Sequence, residues 1–218
     1  MLFNKSTLLK TMAAVIVSAA VSVSPVYAAG SHYDKKTLKK MGVFLSNFTE
    51  CFVYNNTREN MIKHPENIIS FGICHNYVNN FRGRFVEVPG CTVSSTDDKC
   101  ANGTMMIDRK FINESSRRYL NYDLKEFMSV ENGYYDGHNF RIHPADGEML
   151  RQVEVLEAVP QDDGSIMVKG STYIPDMGET PSNTPDLTAV IKPHTWNNKE
   201  TWSLISIKVD SNNSEDNY

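Results

Sequence analysis

The sequence predicts an α+β chain in which a curved antiparallel sheet is packed by about three N-terminal and central helices. Three observations predict it. Apolar residues recur at steps of three and four between residues 35 and 81, alternation with period two dominates from residue 151 onward, and turn signals separate the two regimes. Helices that come first and strands that come last cannot interleave into a parallel sheet, so the helical layer must cover one face of an antiparallel one.

The first helix is expected after Asp34, whose carboxylate suits an N-cap. Leu38, Met41, Leu45, Phe48 and Phe52 then form one stripe, and Lys35, Lys36, Lys39 and Lys40 face water. The segment "YNNTREN" interrupts the pattern. A second helix is expected from Pro65 to Phe81, with proline in its tolerated first turn. Phe71, Cys74, Val78 and Phe81 share its apolar face, Asn76, Asn79 and Asn80 lie opposite, and His75 sits at the border.

Arg84 to Val88 reads as extended. "GTMMIDRKFI" reads as two short strands joined at Asp108-Arg109, and Asn113 as the cap of a short third helix. "SVENGYYDGHNFRIHPADGE" carries turn signals at Asn132-Gly133, Asp136-Gly137 and Asp146-Gly147, with at least one strand between them. "RQVEVLEAV", "SIMVKGSTYI", "LTAVIKP" and "TWSLISIKV" are the closing strands. A three-proline connection, "PDMGETPSNTPD", lies between the second and third.

The N-terminus reads as an export signal. Lys5 and Lys10 precede the apolar run "MAAVIVSAAVSVSPVYA", and Val26-Tyr27-Ala28 fits a cleavage site after Ala28. The run is too short and too rich in Ala and Ser for a membrane span, which takes about 20 strongly apolar residues. The expected organisation is a cleaved signal peptide at 1–28, one domain at 29–210 and a polar tail at 211–218, exported to the periplasm or cell exterior with no membrane anchor. The signal carries two lysines and no acid, so cleavage takes the formal charge from −4 to about −6. An acidic surface argues against nucleic acid as a partner.

Cys51, Cys74, Cys91 and Cys100 all follow the signal, and an even number in an oxidising compartment predicts two disulfides. Of the possible pairings, Cys91–Cys100 closes the polar loop "CTVSSTDDKC" and Cys51–Cys74 ties two helices. A zinc site is the rival reading, but no C-x2-C pair is present.

The strand–turn–strand–helix unit "TMMIDRKFINESSRRYLNYDL" resembles the central unit of the nuclear-transport-factor-2-like superfamily. The hairpin "TAVIKPHTWNNKETWSLISIKV" resembles that superfamily's last one, with Trp202 opening the final strand. The hairpin here lacks the frequent turn glycine, and a cysteine-closed loop precedes the central unit. The resemblance implies a cone of bent sheet around a pocket closed by helices. Members of the superfamily include isomerases, dehydratases, polyketide cyclases and non-catalytic binding proteins, so the fold does not choose the function.

His75 is the candidate catalytic residue, because a border histidine facing a pocket titrates near neutrality and can act as a base. Asn79, one turn on, could share a ligand with it. Trp196 could stack on a sugar or peptide, although Trp202 is expected in the core and Trp196 over the hairpin turn. His138, His143, Asp136, Asp146 and Glu148 are metal-binding residue types. An odd separation places the two histidines on opposite faces of a strand, so no metal site is expected. The sequence carries no phosphate-binding glycine loop and no G-x-S-x-G turn, and no cofactor is expected. Sequons at Asn47, Asn55, Asn102, Asn113 and Asn212 reflect an Asn-rich composition. The preferred reading is an exported binding or accessory protein with a protein or small-molecule ligand. Its rivals are a pocket enzyme of isomerase or lyase type using His75, and a structural subunit of a surface assembly.

Overall fold

The structure is a computed structural model and describes residues 33–92, 95, 97–144 and 149–210. The signal segment 1–28 and the tail 211–218 lie outside the described residues. Among those described, the chain is α+β with four α-helices and two antiparallel sheets, where the sequence predicts about three helices and one sheet.

Helix α1 (Lys35–Thr49) starts as its cap predicts, with Asp34 accepting from the Thr37 N–H at 2.7 Å. Met41, Leu45 and Phe48 are fully buried and Lys35, Lys36, Lys39 and Lys40 are exposed. Phe52 does not continue the stripe. It lies beyond the helix with φ at +58° and its side chain 54% exposed. The N–H of Val53 reaches back to Phe48 O and that of Phe52 to Thr49 O, so α1 ends in a Schellman motif with phenylalanine at the left-handed position that glycine usually fills.

The segment expected only to interrupt the helices forms two elements. Strand β1 (Asn55–Thr57) pairs antiparallel with the last strand, and helix α2 (Arg58–Lys63) is capped by Thr57 Oγ1 on the Asn60 N–H. Helix α3 (Pro65–Arg84) has a non-helical residue at Asn80, with φ −139° and ψ 17°. Strand β2 (Phe85–Glu87) follows, and β3 (Met105–Asp108) pairs with it.

Asp108-Arg109 is not a hairpin turn. Asp108 caps helix α4 (Arg109–Leu120) by accepting from the Lys110 N–H at 2.8 Å, so "RKFI" is helical and not a strand. Asn113, expected as the cap, lies within α4 and fastens the following chain, its Oδ1 accepting from the Leu124 N–H at 2.8 Å. Strands β4 (Tyr134–Tyr135) and β5 (Asn139–Ile142) complete a four-stranded sheet in the order β2-β3-β5-β4.

The last third forms a meander as predicted: β6 (Gln152–Pro160), β7 (Ile166–Tyr173), β8 (Leu187–Trp196) and β9 (Lys199–Val209). With β1 they make a five-stranded sheet in the order β1-β9-β8-β7-β6. Register shifts at Val155/Glu157 and Val190/Ile191 mark bulges, which bend a strand locally. The β8–β9 turn needs two positive φ values and no glycine is present. Asn197 and Asn198 supply them at 49° and 60°.

One apolar core joins the helices to both sheets, from Met41 and Phe48 through Ile107 and Phe140 to Val168 and Leu204. Helix α1 lies along β6, where Gly42 permits close approach: a Cβ there would stand 2.7 Å from the Val153 carbonyl oxygen. Both disulfides are Cys51–Cys74 and Cys91–Cys100, with Cα separations of 5.7 and 5.8 Å. The first ties the end of α1 to α3. The second anchors a small satellite core with Val88.

Candidate functional site on the helical layer

Helix α3 is covered over a wider arc than one apolar stripe requires, because it packs against α4, α2, α1 and the second sheet. Gly72 lets Ile112 of α4 approach, since a Cβ at that position would stand 2.7 Å from Ile112 Cγ2. The burial therefore differs from the expected pattern. Ile68, Ile69, Phe71 and Ile73 are buried, together with His75 and Asn76, while Cys74, Val78 and Phe81 are only half-buried.

Asn76 is not on the wet side. Its amide donates to Gly72 O at 2.7 Å and Ser115 Oγ at 3.0 Å, and its Oδ1 accepts from Arg84 Nη1 at 2.8 Å. A fully buried amide is tolerated there because both of its ends are bonded.

His75 is 3% exposed. Its ring lies 4.7 Å from that of Tyr119, edge to face, and 5.9 Å from that of Phe71, stacked. Nδ1 is 3.4 Å from the Asn79 amide nitrogen and Nε2 is 3.5 Å from that of Asn80. Asn79 Nδ2 also donates to Glu50 Oε2 at 3.3 Å, which fixes that amide's orientation. A neutral imidazole has one donor and one acceptor nitrogen. Each ring nitrogen thus faces a side-chain amide nitrogen, and a neutral ring accepts from only one of the two at a time.

Burial pulls the His75 pKa down to about 3, with further lowering by the positive charges of Arg118 and Arg84. Such an imidazole stays neutral and closed off from solvent, which does not suit a base working near neutral pH. Glu50 is shifted the other way, raised by burial against the lowering effect of Asn79. Tyr119 is raised by burial, and its hydroxyl donates to Asn47 Oδ1 at 3.2 Å.

Beyond His75 the helical layer opens. The non-helical turn at Asn80 borders a groove of about 560 Å³ lined by Val78, Asn79, Asn80, Phe81, Arg82, Gly83, Arg84 and Phe111. Its floor is open over Gly83, where an added Cβ would meet nothing within 4 Å. Arg84 is held on one side of it by Asn76, by Glu114 at 3.2 Å, and over the Phe111 ring at 4.6 Å from the centroid. The arrangement can offer a ligand amides, guanidinium groups and an apolar wall in one place.

Of the residues singled out in the sequence, Asn79 lines this groove and His75 lies behind it, linked through the Asn79 and Asn80 amides. Trp196 is not among the lining residues. It ends β8, half-buried, opposite Lys199 across the hairpin turn, and Trp202 packs on the core 6.0 Å from Phe44. Asp136 is occupied in its own loop, accepting from the N–H groups of His138 and Asn139. His143 Nε2 lies 3.0 Å from Ala101 O, and His138 Nε2 lies 3.6 Å from Asp108. Asp146 and Glu148 lie outside the described residues. Among those described, no three His, Cys, Asp or Glu side chains gather to hold a metal ion.

Sequence reasoning missed Glu50, Arg82, Arg84 and Phe111. The one local signal was "NNFRGR", two arginines around a glycine at the end of a helix. Phe111 could not be found that way, because the sequence pattern caps α4 at Asn113, five residues after the observed cap Asp108. No protein-family model, no curated protein and no solved structure matches the chain.

Proposed function

We propose that the chain is a small exported binding or accessory protein that takes a ligand or partner on its helical layer, at the groove bordered by Asn80, Gly83 and Phe111. The observation that carries this reading is the groove's placement. It opens at a helix interruption, directly beside a histidine that the fold keeps buried and neutral. A surface that presents amides and cations beside a closed imidazole suits recognition better than proton transfer, so the isomerase or lyase reading with His75 as base is the weaker one.

Export is supported by the N-terminal pattern and by two disulfides, which persist in oxidising compartments. No helix among the described residues is long and apolar enough to cross a membrane. The nuclear-transport-factor-2-like arrangement, with a cone-shaped wrap of the sheet, is carried as part of this proposal on the closing β8–β9 hairpin, since the strand–turn–strand–helix unit expected before it is β3 running directly into α4.

The test is affinity capture from cell-envelope extract, using the oxidised chain that follows Ala28. A Gly83→Trp variant puts a bulky ring on the groove at a position where an added Cβ meets nothing within 4 Å. Species held by the native chain and lost by the variant, at equal thermal stability, are the expected result. Capture that survives Gly83→Trp would move the binding surface elsewhere.

A further inference from the structure

The groove has a distinct charge character on an acidic chain. Four cations surround it or stand behind it: Arg82, Arg84, Lys110 and Arg118. Arg84 is paired with Glu114, and Lys110 lies 3.6 Å from Asp108 while leaning on the Phe111 ring at 4.8 Å. Arg118 lies over the Tyr119 ring at 5.0 Å. Arg82 lines the groove, is exposed, and has no acidic partner among the described residues. On one rim, then, an uncompensated guanidinium stands beside the Asn79 and Asn80 amides, with Val78 and Phe81 as the apolar wall.

A guanidinium presents a planar fork of donors that matches the two oxygens of a carboxylate or phosphate. The Asn79 and Asn80 side chains add polar atoms to the same rim, with the Asn79 amide nitrogen already engaged by Glu50 and His75, so the charge that would hold an anion there is that of Arg82. A volume of about 560 Å³ falls in the range used for small organic ligands. We infer that the groove takes a small organic oxyanion, with the charged end at Arg82 and the apolar body along Val78 and Phe81. This rests on the binding reading above and names its ligand class. His75, behind the groove, is held back from protonation first by burial and then by the charges of Arg118 and Arg84.

The competing role for Arg82 is to offset the partial negative charge of carbonyls at the end of α3. Arg84, bonded back onto the helix through Asn76, is better placed for that role. The two roles separate experimentally, because a helix-end role shows in stability and a ligand role shows in binding.

The experiment is a nitrogen–proton NMR titration of the isotope-labelled, oxidised chain after Ala28 with 4-phenylbutyrate, its uncharged amide, and phenyl phosphate. The expected result is movement of the Gly83 backbone signal and the Asn79 and Asn80 side-chain signals with one or both oxyanions, weakened by salt, and little movement with the amide. A larger response to phenyl phosphate or to phenylbutyrate identifies which oxyanion is preferred. Arg82→Glu should weaken binding by roughly tenfold or more, the scale of one charge-assisted bond, at unchanged melting temperature. Equal response to acid and amide, no response at the groove, or an Arg82→Glu variant that loses stability but not affinity would overturn the assignment. If envelope capture still depends on Gly83 while the oxyanions fail, the ligand class falls and the binding reading stands.

Discussion

The backbone N–H of Val153 donates to Ser46 Oγ at 2.9 Å, and that hydroxyl donates in turn to Gly42 O at 2.9 Å. One turn on, Thr49 Oγ1 donates to Arg151 O at 2.6 Å. Strand β6 is the edge of the five-stranded sheet, so these side chains occupy backbone groups that would otherwise be free to pair with another chain. Helix α1 thus caps a sheet edge with hydroxyls, and the small Gly42 lets it come close enough to do so.

Removing that cap should be costly. Ser46→Ala leaves the buried Val153 N–H unpaired and should lower unfolding free energy by about 1–3 kcal/mol. Gly42→Ala sets a gain in helix propensity against a Cβ only 2.7 Å from a backbone carbonyl. The clash should dominate, with a loss of about 1–3 kcal/mol by urea denaturation. A neutral or stabilising Gly42→Ala would show that the α1–β6 contact is loose.

Acid should weaken the fold through His75. Its folded pKa of about 3 lies below the ordinary 6.5, so the unfolded chain takes up a proton that the folded chain refuses. The contribution is full above about pH 6.5 and declines as pH falls toward about 3, by up to about 1.4 kcal/mol per unit. Glu50, raised by burial, works in the opposite direction, since its folded form favours the protonated carboxyl. Melting curves of native protein and His75→Gln across pH 7 to 4 provide the check. The native slope should exceed the variant's, and parallel slopes would remove His75 from the account.

The two disulfides should differ in weight. Cys51–Cys74 spans 23 residues and Cys91–Cys100 spans 9. Loop-closure entropy then favours the first, about 3.4 against about 2.6 kcal/mol. Paired serine variants, compared by denaturant midpoint, should show the larger loss for Cys51→Ser/Cys74→Ser. Mass analysis of the oxidised protein should find no free thiol, and two or more free thiols would contradict the pairing.

Phe52 is a substitution that should help. Its left-handed backbone costs a non-glycine residue about 1–2 kcal/mol, partly offset by the extra unfolded freedom of glycine. Phe52→Gly should raise stability by about 0.5–1 kcal/mol in thermal denaturation. A clear loss would mean that the ring contact with Tyr54, at 6.1 Å, contributes more than its exposure suggests.

Much of the fold was legible where one signal acted alone. Asp34 marked the start of α1, alternation marked β6 to β9, and cysteine spacing gave both disulfides. Legibility failed where two signals competed. "NNTREN" looked like a break because β1 is three residues long and gains its order from pairing with β9, far along the chain. Asp108 looked like a hairpin turn because a residue that ends a strand and caps a helix serves both readings equally. The local pattern places His75 at the border of the apolar face, whereas the fold buries it. Its burial depends on Tyr119 and Phe71 closing over it, and Asn76 is accommodated by Ser115 and Arg84. Partners such as Ser115 and Tyr119 cannot be read from the local pattern of α3.

The bond between Ser46 and Val153 joins residues 107 apart. Until β6 exists, the apolar face of α1 has no sheet to rest on, and Met41, Leu45 and Phe48 stay without part of their cover. The order of events is therefore constrained: α1 can form early and meet α3 through Phe48 and Phe71, but its seating on the sheet must wait for β6. Long-range closure of this kind slows folding and lengthens the time that sticky surface is exposed. A chain interrupted before residue 152 should accumulate as an associating species, and the complete chain should fold in a slow final phase in which α1 closes the sheet.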